Sequence, residues 1–410
     1  MTIKRYALSL LLALFAIGGV GAYCVYAAND RMPEYRLVAI EGDTALAEGL
    51  LLSGNYGGRM HSRFVSVTSD GSSYAPERRP LSIEQLRGWH NWFLRHPGVP
   101  ELVRDYRGFM RGKANPGGLY RDEEKLVYAE ADALGGPALR LKLEALDLAT
   151  GRSVKHTTEI PDAEGLAYAF VADVQRMGNE FHLIVRQARL LKPTDKPQQE
   201  SRAIAEIRDY VIDAGSGKVV REVELEPDID KGEARLEFEI IPTGVANSTN
   251  YAVMEVATIV SGPKGDQTTG RYLYAYDYAT GRLNRLPDAL TSGSFNQGYM
   301  IFMDGNSLYL LVKTKDTEIR MIHYDIDKSK LSEEIVITAG QLGVDSLANV
   351  ALQGELVYLL LRKDDATQAA VLRALDGKEL YRGEVEFTGP ASEAAGAMAD
   401  LQLYQIEIRS

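Results

Sequence analysis

Leu146-Asp147-Leu148-Ala149-Thr150-Gly151-Arg152 is one copy of a turn that returns along the chain. Each close copy has an apolar or aromatic residue, an aspartate, two spacers, Thr or Ser, Gly, and a basic residue. The other copies, from close to loose, are residues 212–218, 276–282, 324–330 and the shortened 375–378. A fixed turn that recurs at intervals of tens of residues is typical of a repeat architecture.

The residue types explain why such a turn forms. An aspartate side chain accepts hydrogen bonds from backbone amides two or three residues later, and glycine adopts a positive φ at little cost. Strand-like runs flank the copies, for example 271–276 and 283–286. We therefore predict turn-forming aspartates between neighbouring strands. A calcium loop is the alternative at Asp325, although Lys330 and Val336 stand where such loops carry glycine and glutamate.

Short strand-like runs separated by turn residues fill the chain after Pro33. A first group lies within 118–160, and four groups of four runs follow, each the size of a propeller blade. The pattern predicts an all-β fold, a β-propeller with six blades or, as the main alternative, seven. A β-sandwich or two smaller β domains is the other possibility. The four groups are 167–173, 179–190, 202–213 and 218–225; 235–241, 250–261, 271–277 and 282–286; 298–304, 307–314, 318–325 and 330–338; 347–352, 355–363, 369–375 and 379–387.

Runs at both ends of the chain are left over. Three lie near the start, at 35–40, 50–54 and 63–69, and one alternating run lies at the end, at 401–408. A propeller protects its edge strands by closing the ring. We expect the last run to pair with the first three and to complete the sixth blade of a single domain spanning 35–410.

The turn resembles the repeats of quinoprotein-like (PQQ-like) propellers, whose blades often carry Asp-x-x-Thr-Gly-Lys. The resemblance rests on residues 147–152, 213–218 and 277–282. Members of that family usually add tryptophans that lock neighbouring blades together, whereas Trp89 and Trp92 lie outside the repeats here. The resemblance therefore implies the propeller fold alone, and no cofactor is expected.

Composition and charge narrow the function classes. The chain has 410 residues and a net charge of −11, which argues against nucleic acid as a partner. The one cysteine, Cys24, lies in the N-terminal apolar stretch. An intrachain disulfide, a thiolate metal cluster and a cysteine nucleophile in the rest of the chain are therefore excluded.

The N-terminus predicts a membrane anchor. Lys4 and Arg5 precede an uncharged run over 6–28, and a helix of that length spans the bilayer core of about 30 Å. The positive pair places the N-terminus inside and the rest outside. We predict a transmembrane signal-anchor over 1–28, a short stalk over 29–34, and a single-pass, extracytoplasmic protein of the cell membrane. Cleavage after residues 25–27 and lipidation at Cys24 are the alternatives.

Residues 79–113 break the β pattern and predict a helical hairpin. Ser82 and Gln85 form a capping box, and a second helix begins near Pro100. The segment is net positive in an acidic protein, so it is either a hairpin packed on the propeller or a docking element for a partner. The candidate partner-binding residues are Arg87, Trp89, His90, Trp92, Arg95, Arg104 and Arg107.

Catalytic motifs are missing from the sequence. The six histidines show no spacing of a metal site, and we expect them at surface or half-buried positions. There is no Gly-x-Ser-x-Gly elbow, phosphate loop or dinucleotide fingerprint. We therefore predict a non-catalytic binding or scaffold protein for a protein, peptide or envelope polymer, with a membrane or cell-envelope protein as the expected partner. An envelope hydrolase or lyase with its site in the propeller channel is one alternative, and a sensory or accessory subunit of a membrane complex is another.

Overall fold

Strands dominate the part of the chain that the structure, a computed structural model, describes. That part comprises Gly18, Gly19, Phe93, His96, Gly232 and residues 32–57, 63–74, 98–132, 138–160, 166–190, 203–230, 234–243, 248–262, 265–293 and 299–408. The predicted anchor and the first helix of the insertion lie outside it, except for Gly18, Gly19 and Phe93. None of the described helices is both long and apolar enough to cross a membrane.

The described residues contain three short α-helices and a long series of strands. The helices are α1 (Val99–Asp105), α2 (Arg107–Met110) and α3 (Ala394–Ala399), and short 3-10 turns occupy Thr44–Ala47, Pro116–Gly118 and Asp288–Leu290. The strands are β1 (Tyr35–Gly42), β2 (Leu50–Tyr56), β3 (Arg63–Val67), β4 (Ser72–Tyr74), β5 (Leu119–Arg121), β6 (Lys125–Asp132), β7 (Leu139–Asp147), β8 (Ser153–Ile160), β9 (Leu166–Met177), β10 (Glu180–Leu190), β11 (Ala203–Asp213), β12 (Val219–Glu224), β13 (Arg235–Ile240), β14 (Tyr251–Gly262), β15 (Gly265–Asp277), β16 (Arg282–Arg285), β17 (Met300–Asp304), β18 (Ser307–Lys315), β19 (Glu318–Asp325), β20 (Lys330–Leu331), β21 (Ile335–Thr338), β22 (Ser346–Gln353), β23 (Leu356–Lys363), β24 (Ala366–Arg373), β25 (Glu379–Phe387) and β26 (Leu401–Ile408).

These strands form six antiparallel sheets in the described part of the chain. Sheet 1 holds β5–β8, sheet 2 holds β9–β12, sheet 3 holds β13–β16 and sheet 4 holds β17–β21. Sheet 5 holds β22–β25 with β1 at its edge, and sheet 6 has the order β26-β2-β3-β4. The predicted all-β fold is confirmed, and the groups read from the sequence correspond to sheets 1 to 5.

Neighbouring sheets pack face to face in chain order. An apolar cluster joins each pair from sheets 1 and 2 through to sheets 5 and 6, and α1 and α2 cover the other face of sheet 1. Serial packing of four-stranded antiparallel sheets is the arrangement found in propellers. Residues that share a cluster across the successive junctions include Leu141 and Val185, Ile207 and Tyr274, Leu273 and Leu310, Leu311 and Leu359, and Leu360 and Leu403.

The two ends of the domain meet in sheets 5 and 6. The last strand, β26, pairs with β2, whereas β1 pairs with β25. The expectation that the run at 35–40 joins the last strand is therefore wrong, and β4 supplies the outer strand of sheet 6 instead. Tyr35 and Leu37 explain the difference, because both are buried in the cluster between sheets 5 and 6. The Tyr35 hydroxyl also donates to the carbonyl of Ala397 at 2.7 Å.

The recurring turn has the predicted aspartate-closed geometry. Asp147 Oδ1 accepts from the amide of Thr150 at 2.8 Å and from its hydroxyl at 2.7 Å, and Asp213 binds Ser216 in the same way. At Asp325 the side chain accepts from the Lys328 amide at 3.0 Å and the Lys328 ammonium at 2.6 Å. These contacts confirm the turn-forming role.

One further hydrogen bond repeats in sheets 1 to 5. The amide of the residue after each turn aspartate, or after Arg373 in the shortened turn of sheet 5, donates to a carbonyl in the loop before the second strand of the same sheet. The donor and acceptor residues are Leu148 and Glu124, Ala214 and Asn179, Tyr278 and Asn250, Ile326 and Asn306, and Ala374 and Glu355. Each turn is thus fixed to its own sheet. The donor side chains of sheets 2 to 5 pack in the clusters between sheets, whereas Leu148 packs against the cluster under α1 and α2.

Candidate functional site

The predicted partner-binding residues are only partly described. Arg87, Trp89, His90, Trp92 and Arg95 lie outside the described residues. Arg104 and Arg107 are exposed on α1 and α2, and the Arg104 side chain pairs with Asp105 at 2.9 Å. Their role in binding therefore stays a prediction.

One face of α1 and α2 packs on sheet 1. Pro100 lies in the first turn of α1, and the chain bends between the helices at Tyr106, whose φ of −125° is not helical. The packed side chains share an apolar cluster with sheet 1 and leave the arginines of both helices facing outward. The buried members of that cluster are Phe93, Val99, Leu102, Phe109, Met110, Leu119, Leu126 and Tyr128.

Beyond the helices, the same face of sheet 1 carries charged side chains. The register places Tyr128, Glu144 and Lys155 in one row across β6, β7 and β8. Directly opposite residues in antiparallel strands point to the same face and contact one another. The next row holds Glu130 and Lys142.

Lys113 joins α2 to the first of these rows. Its ammonium group lies 2.8 Å from Glu144 and 3.9 Å from the centre of the Phe109 ring, and it donates to the carbonyl of Phe109 at the end of α2. Only 7% of Lys113 is exposed. Burying a charge is costly unless it is paired, so this ion pair fixes the end of α2 on the sheet.

Tyr128 completes the floor of this region. Burial raises its pKa to about 12, so the hydroxyl stays protonated and donates to Glu130 at 2.9 Å. The same oxygen accepts from the amides of Ala114 and Asn115 at 3.3 Å. The segment that leaves α2 is therefore held against sheet 1 at several points.

A cleft of about 240 Å³ opens where this segment meets the charged rows. We call it the basic cleft, since four of its lining residues are lysines or arginines and two are glutamates. It lies at the end of the predicted docking segment. Its lining residues are Arg111, Gly112, Lys113, Tyr128, Glu130, Lys142, Leu143, Glu144, Lys155, His156 and Thr157.

A second polar cluster lies buried between sheets 2 and 3. Tyr278 donates the repeated amide hydrogen bond from a position where the other sheets carry Leu148, Ala214, Ile326 or Ala374. Its hydroxyl crosses the junction and donates to Asp173 on β9. Burial raises the pKa of Asp173 to about 6, against the opposing effect of this and other hydrogen bonds.

His182 belongs to the same cluster. Its Nδ1 lies 2.7 Å from Asp209 Oδ2, and the Tyr276 hydroxyl donates to that oxygen at 2.8 Å. His182 is 1% exposed and Asp209 is fully buried, so the expectation of a surface or half-buried histidine is wrong here. The strand β10 places His182 on the face that packs on sheet 3, and a buried carboxylate satisfies its ring nitrogen.

The raised pKa of Asp173 predicts a pH-dependent stability. The pKa of an aspartate in an unfolded chain is about 3.9, whereas that of Asp173 in the folded protein is about 6. Between about pH 4 and pH 6 the folded state therefore binds a proton more readily than the unfolded state does. The folded protein should therefore gain about 2–3 kcal/mol from this group as the pH falls through that window. We expect Asp173→Asn to remove the gain, measured as the difference in urea unfolding free energy at pH 4.5 and pH 7.5. Parallel pH profiles of the two proteins would contradict the assignment.

Comparison with known proteins concerns the fold. No protein-family model and no curated protein matches the chain. Solved structures that are similar to this chain include an uncharacterized protein, lmo1340 from Listeria monocytogenes EGD-e. It is 11% identical over 66% of this chain and 65% of that chain, with a TM-score of 0.35. An ACO/RPE65 chimera is 10% identical over 86% of this chain and 93% of that chain, with a TM-score of 0.42. The Dos1 propeller is 12% identical over 65% of this chain and 61% of that chain, with a TM-score of 0.29.

The chain resembles these proteins at the level of the fold. It spans less than two thirds of the length of lmo1340. At such identities and TM-scores the likenesses carry no argument.

Proposed function

We propose that this protein is a membrane-anchored, extracytoplasmic propeller of six blades that binds a membrane or cell-envelope protein without catalysing a reaction. The observation that carries the proposal is the pairing of two features on one side of sheet 1. The outward face of α1 and α2 presents Arg104 and Arg107, and the basic cleft opens beside α2. The lining of the basic cleft holds four cations against two glutamates, in a chain whose net charge is −11.

The buried polar cluster between sheets 2 and 3 supports a binding role over a catalytic one. Asp173, His182 and Asp209 are at most 8% exposed, and each is engaged by side chains of the opposite or same sheet. Groups in contact with one another across a packed junction hold the sheets together, and they do not face a substrate. These contacts therefore serve to hold sheets 2 and 3 of the scaffold together.

The predicted anchor over residues 1–28 gives the proposal its location. A stalk of only a few residues, 29–34, would keep the propeller close to the bilayer. That geometry favours a partner that is itself in or at the membrane.

Site-specific crosslinking tests the proposal. A photoreactive amino acid at Arg107 should crosslink the full-length protein to a discrete partner in its native membranes. The matched control is Arg282, an exposed arginine at the start of β16. A partner captured equally from both positions, or none from either, would contradict docking through the hairpin.

A further inference from the structure

The cations of the basic cleft differ in how fully their charges are engaged. Lys113 makes a close ion pair with Glu144 at 2.8 Å. Lys155 lies 3.4 Å from the same glutamate, and its side chain is 72% exposed. Lys142 lies 3.7 and 4.0 Å from Asp132 and Glu130. Charge-assisted hydrogen bonds of this kind are about 2.7–2.9 Å long, so Lys142 and Lys155 keep donors for a ligand.

Arg111 adds a third available cation. It is exposed at the edge of the cleft, and no ion pair of Arg111 occurs within the described residues. Glu144 already forms a close ion pair with the buried Lys113, so its negative charge is shared between Lys113 and Lys155. The cleft therefore presents three cationic side chains, Arg111, Lys142 and Lys155, around a small space that Tyr128 also lines.

We infer that the basic cleft binds carboxylate side chains of an acidic polypeptide segment of the partner. This inference rests on the proposed function and names the chemistry of its partner. The volume is below the roughly 300–1,000 Å³ of pockets for drug-sized ligands, which suits a side chain rather than a whole small molecule. Glu130 lies opposite Lys142 and Glu144 lies opposite Lys155, and such alternation of charge favours a chain of spaced single charges over a polyanion or an anionic membrane.

Peptide binding tests the inference directly. The probe is a fluorescein-labelled hexapeptide of alternating glycine and glutamate, titrated by fluorescence anisotropy against the full-length protein in detergent. The same peptide with glutamine in place of glutamate is the control ligand. We expect binding of the glutamate peptide only, and a loss of about tenfold in affinity on Lys155→Gln. Arg111→Gln should weaken binding similarly.

A charge control separates the cleft from general attraction. Lys330→Gln removes an exposed lysine at the start of β20 and should leave the affinity unchanged. Equal losses in Lys155→Gln and Lys330→Gln, or equal binding of the two peptides, would overturn the inference. Millimolar inorganic phosphate is added as a competitor, and binding of phosphate with a higher affinity than the peptide would overturn the inference as well. Crosslinking from Arg107 that persists without peptide binding would leave the proposed function standing and reject the acidic segment.

Discussion

Asp209→Ala should lower the free energy of unfolding by about 3 kcal/mol or more, because it leaves two buried partners without their hydrogen bond, at about 1–3 kcal/mol each. His182 and Tyr276 both contact one oxygen of this carboxylate, at 2.7 and 2.8 Å, and both would lose it inside a buried junction. Urea unfolding followed by circular dichroism measures the effect.

Asp213→Ala is the matched control on the same strand. Asp213 is a turn aspartate whose carboxylate binds the amide and hydroxyl of Ser216 near solvent. Water can replace those partners, so we expect a loss of about 1–2 kcal/mol. If Asp209→Ala costs no more than Asp213→Ala, the buried cluster does not hold sheets 2 and 3 together.

Gly217→Ala should be the most disruptive change in the recurring turn. Gly217 has a φ of 69°, and a Cβ there would overlap the ring of His156 on β8. Thr158 donates to the Gly217 carbonyl at 2.7 Å, so the turn of sheet 2 lies directly on sheet 1. Left-handed strain of about 1–2 kcal/mol then adds to an overpacking cost of about 1–3 kcal/mol.

Gly151→Ala isolates the backbone contribution. Gly151 occupies the equivalent turn position with a φ of 68°, but no atom lies within 4 Å of a Cβ built on it. We expect about 1–2 kcal/mol from strain alone. Thermal melts of both variants give the comparison, and equal losses would mean that the sheet 1–sheet 2 contact at this turn contributes nothing.

The fold was largely predictable because its strongest signal is local. The aspartate, hydroxyl and glycine of each turn interact within a few residues, so the sequence pattern and the hydrogen bonds coincide at Asp147 and Asp213. The partner of β1 was not predictable in this way. Tyr35 pairs opposite Phe387, and the buried side chains that decide this pairing come from distant parts of the chain.

The candidate sites depend on register between strands, which a linear pattern does not carry. The alternation of Leu139, Leu141 and Leu143 with charged residues marks β7 as a strand with one polar face. It does not show that Lys113 lies on Glu144. Tyr278 was the available signal for the buried cluster, since it is an aromatic with a hydroxyl at a repeat position that is otherwise apolar.

Lysine labelling in native membranes tests the binding role most directly. The rate of modification by a membrane-impermeant acylating reagent is compared between the protein in its membranes and the purified protein in detergent. We predict slower labelling of Lys142 and Lys155 in membranes, because a partner covers the basic cleft. The exposed turn lysines Lys330 and Lys378 should react at the same rate in both. Equal rates at all four lysines, or protection confined to the turns, would contradict a partner bound at this face.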